Sequence, residues 1–303
     1  QTYILEFGNQ YIRFYKNKGQ ITDSGSAYEI SSPYLTAELF EIKFAQSADV
    51  MYLVHKNHAV RKLSRTGHTS WTLAEVSFTD GPYLSENTTA TTLTPSNAST
   101  GSRNITASAI TGINGGVGWL ATDVGRTISM NSGLAIITAR TNSTVVVATV
   151  SKAFSNTNAI TDWKLGAFSG TTGHPSCVSF FEQRLVFAGT SAEPQTLYFS
   201  KSGDYENMTT GTNADDAMVY TIASNQVNEI RYLKAVRTLI VGTTGGEFTV
   251  SADGTDAAVT PTNVTMRYPP GMQFYFYKEL KEKLENYNIT LTKTDTLLQI
   301  LLF

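Results

Sequence analysis

Short runs of alternating apolar and polar residues fill most of this chain, and each run ends in turn-forming residues. Residues 3–7 and 11–15 alternate in this way on either side of a Gly-Asn-Gln connection, and residues 49–55 and 59–65 repeat the arrangement. Alternation with a period of two indicates strands with one buried face, and a short Gly-Asn connection is typical of a hairpin. The pattern predicts an all-β chain assembled from short hairpins.

Four short strands of similar design each end in glycine. Three of them share a hydrophobic-Ser-x-(Thr/Ser/Asp)-Gly ending, and the four glycines are Gly19, Gly67, Gly203 and Gly254. Their spacings are 48, 136 and 51 residues, and the long interval falls near fifty once an inserted module of about eighty residues is removed. Self-similarity at this period is typical of the stacked four-stranded sheets of a β-propeller.

A second internal match supports the same repeat. The run RLVFAGT at 184–190 matches RTLIVGT at 237–243 with an offset of 53. A continuous apolar run predicts an interior strand of a blade that is buried on both faces. The fold class predicted is therefore all-β: an incomplete propeller-like body of short-strand blades, with a small β-barrel or sandwich module inserted into it.

Changes in composition and in the strand pattern along the chain predict four segments. Residues 85–115 contain 17 Ser, Thr or Asn in 31 positions, and short strand-like runs follow them. We predict a first set of blades over 1–85, an inserted β module over 86–164 and a second set of blades over 165–267. The pattern of short strands ending in glycine stops at Tyr268. We interpret 268–303 as a non-native tail read in a shifted frame, with an amphipathic helix carrying Leu280 and Leu284 as the alternative.

Composition narrows the function classes. The net charge of −2 gives no basic footprint for nucleic acid. The single cysteine, Cys177, excludes an internal disulfide framework and a Cys-rich zinc site, and its apolar neighbours predict a small buried side chain. No apolar run is long enough to span a membrane. The chain begins at Gln1, directly in a strand-like pattern, which we expect of a fragment of a larger protein.

Several short motifs could carry chemistry, and each has a simpler interpretation. His55 and His58 form H-x-x-H, but the pattern places them in a hairpin turn with no acidic or Cys ligand close in sequence, which favours a solvated turn over a metal site. The GTTGG run at 242–246 lacks the Lys-Ser/Thr ending of a phosphate-binding loop and leads into a strand, which favours a tight turn. Acidic pairs without the calcium-loop pattern predict turn caps; they are Asp215 with Asp216 and Asp253 with Asp256.

We therefore predict that the chain is not an enzyme and has no catalytic, cofactor-binding or metal-binding residues. It has no G-x-S-x-G nucleophile elbow. Asn-x-Ser/Thr triplets, to which we assign no glycans because Asn and Thr are abundant, occur at Asn87, Asn97, Asn104, Asn142, Asn207, Asn263 and Asn288.

Longer motifs resemble a known family. The segments 47–55 with 61–71, 181–190 with 195–207, and 220–231 with 239–248 are similar to the tail nozzle proteins of short-tailed bacteriophages, also called tail tubular protein B. The S-x-S-G-D-Y and A-S-N-Q-V-N runs are the most specific, and the resemblance covers about two thirds of the chain. The inserted block, with DVGR at 123–126 and DWKLGAFS at 162–169, resembles a small β module carried by many such phage proteins and named after a half-domain of ubiquitin-activating enzymes.

The resemblance implies a structural protein of the virion tail, made in the bacterial cytoplasm. Members of the family form a ring, usually of six copies, below the portal and adaptor, and contact tail tip proteins. DNA leaves through the lumen without specific binding. The implied partners are thus further copies of this chain, the adaptor and the tail tip, with no membrane and no cofactor.

Two other function classes stay open. One is a carbohydrate-binding or sialidase-like propeller, because VSADG at 250–254 is faintly similar to the Ser-x-Asp-x-Gly turns of sialidases. That interpretation requires an arginine cluster, and Arg184 and Arg237 occupy equivalent blade positions in the sequence. The other is a propeller-like interaction module of unknown role.

Overall fold

The computed structural model describes residues 2–223, 227–254 and 257–267, and the backbone of 297–302. It confirms the predicted all-β fold: several antiparallel sheets follow one another along the chain, and the described helical segments are short 3-10 turns. The turns span Thr36–Glu41, Asn114–Gly116 and Ala121–Asp123.

The first two sheets lie at the start of the chain. Blade 1 contains β1 (Thr2–Gly8), β2 (Tyr11–Lys16), β3 (Gly19–Gln20) and β6 (Glu29–Ser31), with the small hairpin β4 (Thr22–Asp23) and β5 (Ser26–Ala27) between the last two. Blade 2 contains β7 (Lys43–Ser47), β8 (Val50–His55), β9 (His58–Gly67) and β10 (Ser70–Glu75). The strands of blade 2 lie side by side in chain order, as an antiparallel meander.

A six-stranded sheet follows blade 2. It contains β11 (Leu93–Pro95), β12 (Gly101–Ala107), β13 (Thr127–Met130), β14 (Gly133–Arg140), β15 (Val145–Lys152) and β16 (Lys164–Leu165), in the order β11-β12-β15-β14-β13-β16. Its core is made of residues 93–165 alone, around Trp119 and Trp163. The chain enters and leaves this module along paired segments: Leu84 N donates to Leu165 O at 2.9 Å, and Asn87 N donates to Trp163 O at 3.0 Å.

Two further meanders complete the body. Blade 3 contains β17 (Cys177–Phe181), β18 (Arg184–Ala188), β19 (Thr196–Phe199) and β20 (Met218–Thr221). Blade 4 contains β21 (Ile230–Ala235), β22 (Leu239–Thr243), β23 (Gly246–Ala252) and β24 (Val264–Arg267). All five residues of β18 are buried, as the apolar run predicts.

The blades stack face to face around their first strands. β17 packs against β7 on one side and β21 on the other. Alternate side chains of β8 divide between two cores: Met51 and Leu53 face blade 1, whereas Tyr52 and Val54 face blade 3. A third core joins blades 3 and 4. This arrangement, with a core between each pair of neighbouring sheets, is consistent with the predicted propeller-like body.

The glycine repeat has a structural counterpart. Gly67 ends the third strand of blade 2, and Gly203 and Gly254 follow the third strands of blades 3 and 4. Gly203 has φ +74° and Gly254 has φ +121°, conformations that a side chain would strain. Gly67 has no positive φ, and Gly19 begins β3, so the prediction that Gly19 ends a strand is wrong. A turn conformation that favours glycine explains the repeat at Gly203 and Gly254.

The backbone of β25 (Leu297–Leu302) pairs antiparallel with β1 and so extends blade 1. The predicted frame shift and its helical alternative concern mainly residues 268–296, which lie outside the described residues.

Candidate functional site

The two histidines of the H-x-x-H motif lie side by side across a tight hairpin. His55 ends β8, His58 begins β9, and the two are paired residues of the ladder. The predicted hairpin is confirmed, but the predicted solvated turn is wrong, because the His55 side chain is 1% exposed. The ring of Tyr34 packs edge-on against both imidazoles, with ring centroids 6.2 Å from His55 and 5.1 Å from His58.

Two carboxylates that are distant in sequence meet these histidines. The 3-10 turn Thr36–Glu41 places Glu38 Oε2 2.8 Å from His58 Nε2 and Glu41 Oε2 3.4 Å from His55 Nε2. Sequence reasoning missed them because it considered acidic residues next to the motif, whereas these lie one element upstream. No local pattern indicates the pairing, because the position of the turn depends on tertiary packing through Leu39.

Glu38 is held by several donors. Its Oε2 accepts the Leu35 N–H at 3.0 Å and its Oε1 lies 3.4 Å from Asn57 Nδ2. Burial alone would raise the pKa of Glu38, but hydrogen bonds from Leu35, His58 and Asn57 lower that pKa to about 2. The carboxylate is therefore ionised, oriented and directed at the histidine pair.

His55 has a different environment on each ring nitrogen. Nδ1 accepts the Asn57 N–H at 3.2 Å, whereas Nε2 is buried and has no hydrogen-bond partner. Burial lowers the pKa of His55, which favours the neutral imidazole. Among the described residues, four of the five buried side-chain polar atoms without a partner belong to this neighbourhood: Ser32 Oγ, Tyr34 Oη, His55 Nε2 and Arg61 Nε.

The cluster borders a cleft of about 450 Å³ between blade 2, the inserted module and the segment after it. Its lining includes His58, Arg61, Val124, Phe168 and His174. The backbone of His174 donates to Lys56 O at 3.2 Å, which holds this third histidine over the hairpin. Burial, with His58 nearby, lowers the pKa of His174 to about 4, so its imidazole is neutral at pH 7.

The donor atoms converge closely enough to act together. One ligand atom each from Glu38, His55 and His58 lies within 4.8 Å of the other two. Imidazole nitrogens and a carboxylate oxygen form a donor set that suits borderline divalent metals such as zinc. Among the described residues these three form the single His/Cys/Asp/Glu group with that convergence.

The arginines of the sialidase-like interpretation occupy different environments. Arg184 is 2% exposed, and its guanidinium donates to four backbone carbonyls, those of Ser200, Ala214, Asp215 and Asp216, at 2.5 to 3.3 Å. Arg237 is exposed. The guanidinium N–H groups of Arg184 therefore hold the loop before β20 in place and do not point towards a site for a bound anion.

The remaining predicted positions are structural. The acidic residue Asp216 accepts the Asn213 N–H at 3.0 Å, which confirms a turn cap; Asp253 lies in a bend and Asp256 is outside the described residues. The Thr243–Gly246 stretch is the tight turn between β22 and β23. Cys177 is buried as predicted, and Lys43 Nζ lies 3.4 Å from its sulfur.

Four of the Asn-x-Ser/Thr triplets share one local geometry. In each, the asparagine Oδ1 accepts both the backbone N–H and the hydroxyl of the residue two positions later; these asparagines are Asn87, Asn97, Asn142 and Asn207. Side-chain hydrogen bonds of this kind mimic a backbone turn. The triplets therefore have a turn-forming role, independent of any glycan.

The residues directly after the S-x-S-G-D-Y run at 200–205 connect blade 3 to blade 2. Glu206 Oε1 accepts hydrogen bonds from Tyr52 Oη at 2.9 Å and Lys62 Nζ at 2.5 Å, both from blade 2. Its backbone oxygen accepts the Thr79 N–H, and Met208 N donates to Asp80 O. The other specific run, 223–228, lies partly outside the described residues because 224–226 are not among them.

The DVGR segment has a comparable role in the inserted module. Asp123 and Arg126 form a fully buried ion pair at 3.0 Å, and Arg126 Nε donates to Gly166 O at 2.8 Å. Asn114 bonds both members of the pair. This network ties the module to the segment through which the chain leaves it.

Comparisons with known proteins leave the function open. No family model matches the chain, and no curated protein matches it. Among solved structures, the chain is similar to an endosialidase of phage phi92, with 10% identity and a TM-score of 0.21 over 84% of this chain. The chain spans about half of that protein, 52% of its length, and a match of this size says nothing about function. Among the described residues, no helix has the length and apolar character needed to cross a membrane.

Proposed function

We propose that this chain is part of a structural protein of a phage or prophage tail: a nozzle or tail-tube ring below the portal and adaptor, through which DNA leaves. The observation that carries the proposal is the role of the segments that resemble the nozzle family. Two segments that carry the resemblance make architectural contacts: the 200–207 segment joins blades 2 and 3 through Glu206, and the 123–126 segment, which resembles the module carried by such phage proteins, anchors the inserted module through Arg126.

A body of stacked blades is suited to form the rigid wall of a channel. Its cores lie between successive sheets, so each sheet supports its neighbours, and the inserted module projects from the connection between blades 2 and 3. The small net charge of −2 suits a surface along which DNA slides without sticking. Ring closure would bring different patches of neighbouring copies together, in a head-to-tail interface.

Purified phage particles from the source organism provide the test. We expect mass spectrometry to detect this chain in particles, and gold-labelled antibodies against the inserted module to mark the tail below the capsid. The major capsid protein serves as the control for particle recovery. Absence of the chain from intact particles would overturn the proposal. Cleavage of a sialic acid glycoside by the purified protein would instead favour the sialidase-like alternative.

A further inference from the structure

We infer that Glu38, His55 and His58 form a binding site for one divalent transition metal of the zinc type. The site is independent of the proposed tail function, because it follows only from the side chains of the β8–β9 hairpin and of the Thr36–Glu41 turn. The sequence pattern by itself predicts no metal here, since the carboxylate arrives from a different element.

The geometry provides the ligands. One donor atom from each of the three residues lies within 4.8 Å of the others. Tetrahedral zinc ligands at about 2.0–2.2 Å from a shared ion lie roughly 3.3–3.6 Å apart, so small side-chain adjustments bring the three donor atoms to that spacing. The contact of 2.8 Å between His58 Nε2 and Glu38 Oε2 must open slightly to admit an ion. Glu41 Oε2 lies 3.4 Å from His55 Nε2 and could complete a tetrahedral set, although it also forms an ion pair with Lys56 Nζ at 2.7 Å.

The unpartnered nitrogen is the second, independent observation. Buried polar atoms are almost always hydrogen-bonded, whereas His55 Nε2 makes no hydrogen bond and has only the 3.4 Å ion-pair contact with Glu41 Oε2, although its side chain is 1% exposed. A metal ion would satisfy it. Metal binding at either ring nitrogen of His55 breaks the 3.2 Å hydrogen bond that Nδ1 accepts from the Asn57 N–H. A metal on Nδ1 occupies the acceptor itself, and a metal on Nε2 leaves the ring proton on Nδ1, which then cannot accept. The free energy lost with this one long hydrogen bond is small compared with that gained from three metal–ligand bonds.

The surroundings support a preformed site. The Leu35 N–H and Asn57 Nδ2 donate hydrogen bonds to the Glu38 carboxylate and so fix its orientation. Metal-binding residues are commonly oriented in this way by hydrogen bonds from neighbours that do not themselves bind the metal. His58 lines the cleft of about 450 Å³, which gives an ion a route from solvent. Bound metal would fasten the Thr36–Glu41 turn to the β8–β9 hairpin, next to the first strand of blade 2.

The test uses the full chain without a histidine tag, stripped with EDTA and titrated with Zn²⁺ against a chromophoric chelator. We expect one Zn²⁺ per chain and a rise in melting temperature on binding. Glu38→Gln and His58→Gln should each weaken binding at least about tenfold. Both side chains are partly exposed to solvent, so these variants should fold, which circular dichroism checks. The matched control is His68→Gln, an exposed histidine elsewhere in blade 2, which should bind as the unaltered chain does.

Co²⁺ supplies a second readout. Coordination by imidazole and carboxylate should produce visible absorption bands that disappear in Glu38→Gln and His58→Gln but persist in His68→Gln. Failure of the unaltered chain to bind either ion would overturn the inference. Equal binding by the folded Glu38→Gln and His58→Gln variants would overturn it too, since it would place the ion elsewhere.

Discussion

The carboxylate of Asp123 lies 3.0 Å from Nη1 of Arg126, and both side chains are essentially inaccessible to solvent in the inserted module. Asp123 Oδ2 also accepts the Leu120 N–H at 2.8 Å and a hydrogen bond from Asn114 at 2.7 Å. A buried ion pair stabilises a fold only when its remaining donors and acceptors are satisfied, and here they largely are. Removal of one partner should therefore cost far more than it would at the surface.

We predict that Asp123→Asn destabilises the module by about 3–5 kcal/mol, because it leaves the buried charge of Arg126 without its counterion. Urea unfolding followed by the fluorescence of Trp119 and Trp163, both in the module core, measures the change. The matched control is Glu86→Gln, which removes an exposed ion pair with Lys164 at 3.4 Å and should cost at most about 1 kcal/mol. Equal effects of the two substitutions would contradict the prediction.

Arg184→Lys should destabilise blade 3 by about 2–4 kcal/mol, because one ammonium group cannot reach the four carbonyls that the guanidinium bonds. Hydrogen exchange should also accelerate in the loop 213–217, to which three of those four carbonyls belong. Arg103→Lys is the control: Arg103 also donates to nearby backbone carbonyls, but it is only partly buried, so the substitution should cost less than about 1 kcal/mol. An unchanged exchange rate in 213–217 would count against the anchoring role.

Local features of the fold could be predicted from the sequence, whereas contacts between residues distant in sequence could not. The hairpin at His55 and His58 could be predicted, because alternation and turn residues are local. The approach of Glu38 could not, since the position of the Thr36–Glu41 turn depends on Leu39, which is buried in the core between blades 1 and 2. Tertiary packing, and not any nearby pattern, decides which carboxylate meets those imidazoles.

Arg184 illustrates the same limit. The sequence places it at the start of an apolar run, and equivalence with Arg237 suggests a shared role. The structure separates them, because Arg184 is buried under a loop from 30 residues further along the chain, whereas Arg237 is exposed. A guanidinium that binds backbone carbonyls leaves no signature in residue types, since every residue has a carbonyl.

Acid should destabilise the protein through His174. Its pKa is lowered to about 4 in the folded state, against about 6.5 when unfolded, so the unfolded chain binds the extra proton between those values. The stabilisation is complete above about pH 6.5 and is lost as the pH falls towards 4, by at most about 3 kcal/mol. Urea unfolding in EDTA at pH 7 and pH 4.5 measures the loss. His174→Asn should reduce it and His68→Asn should not; an unchanged loss in His174→Asn would assign it to other groups.

Tyr34→Phe should stabilise the protein by about 1 kcal/mol. The Tyr34 hydroxyl is fully buried without a hydrogen-bond partner, so folding removes it from water with no compensation, and phenylalanine keeps the ring contacts with His55 and His58. Tyr220→Phe is the matched control with the opposite sign, because the Tyr220 hydroxyl donates to Pro261 O at 2.7 Å. Both are measured by urea unfolding at pH 7 in EDTA. Destabilisation by Tyr34→Phe comparable to that of Tyr220→Phe would mean that the Tyr34 hydroxyl has a partner in solution.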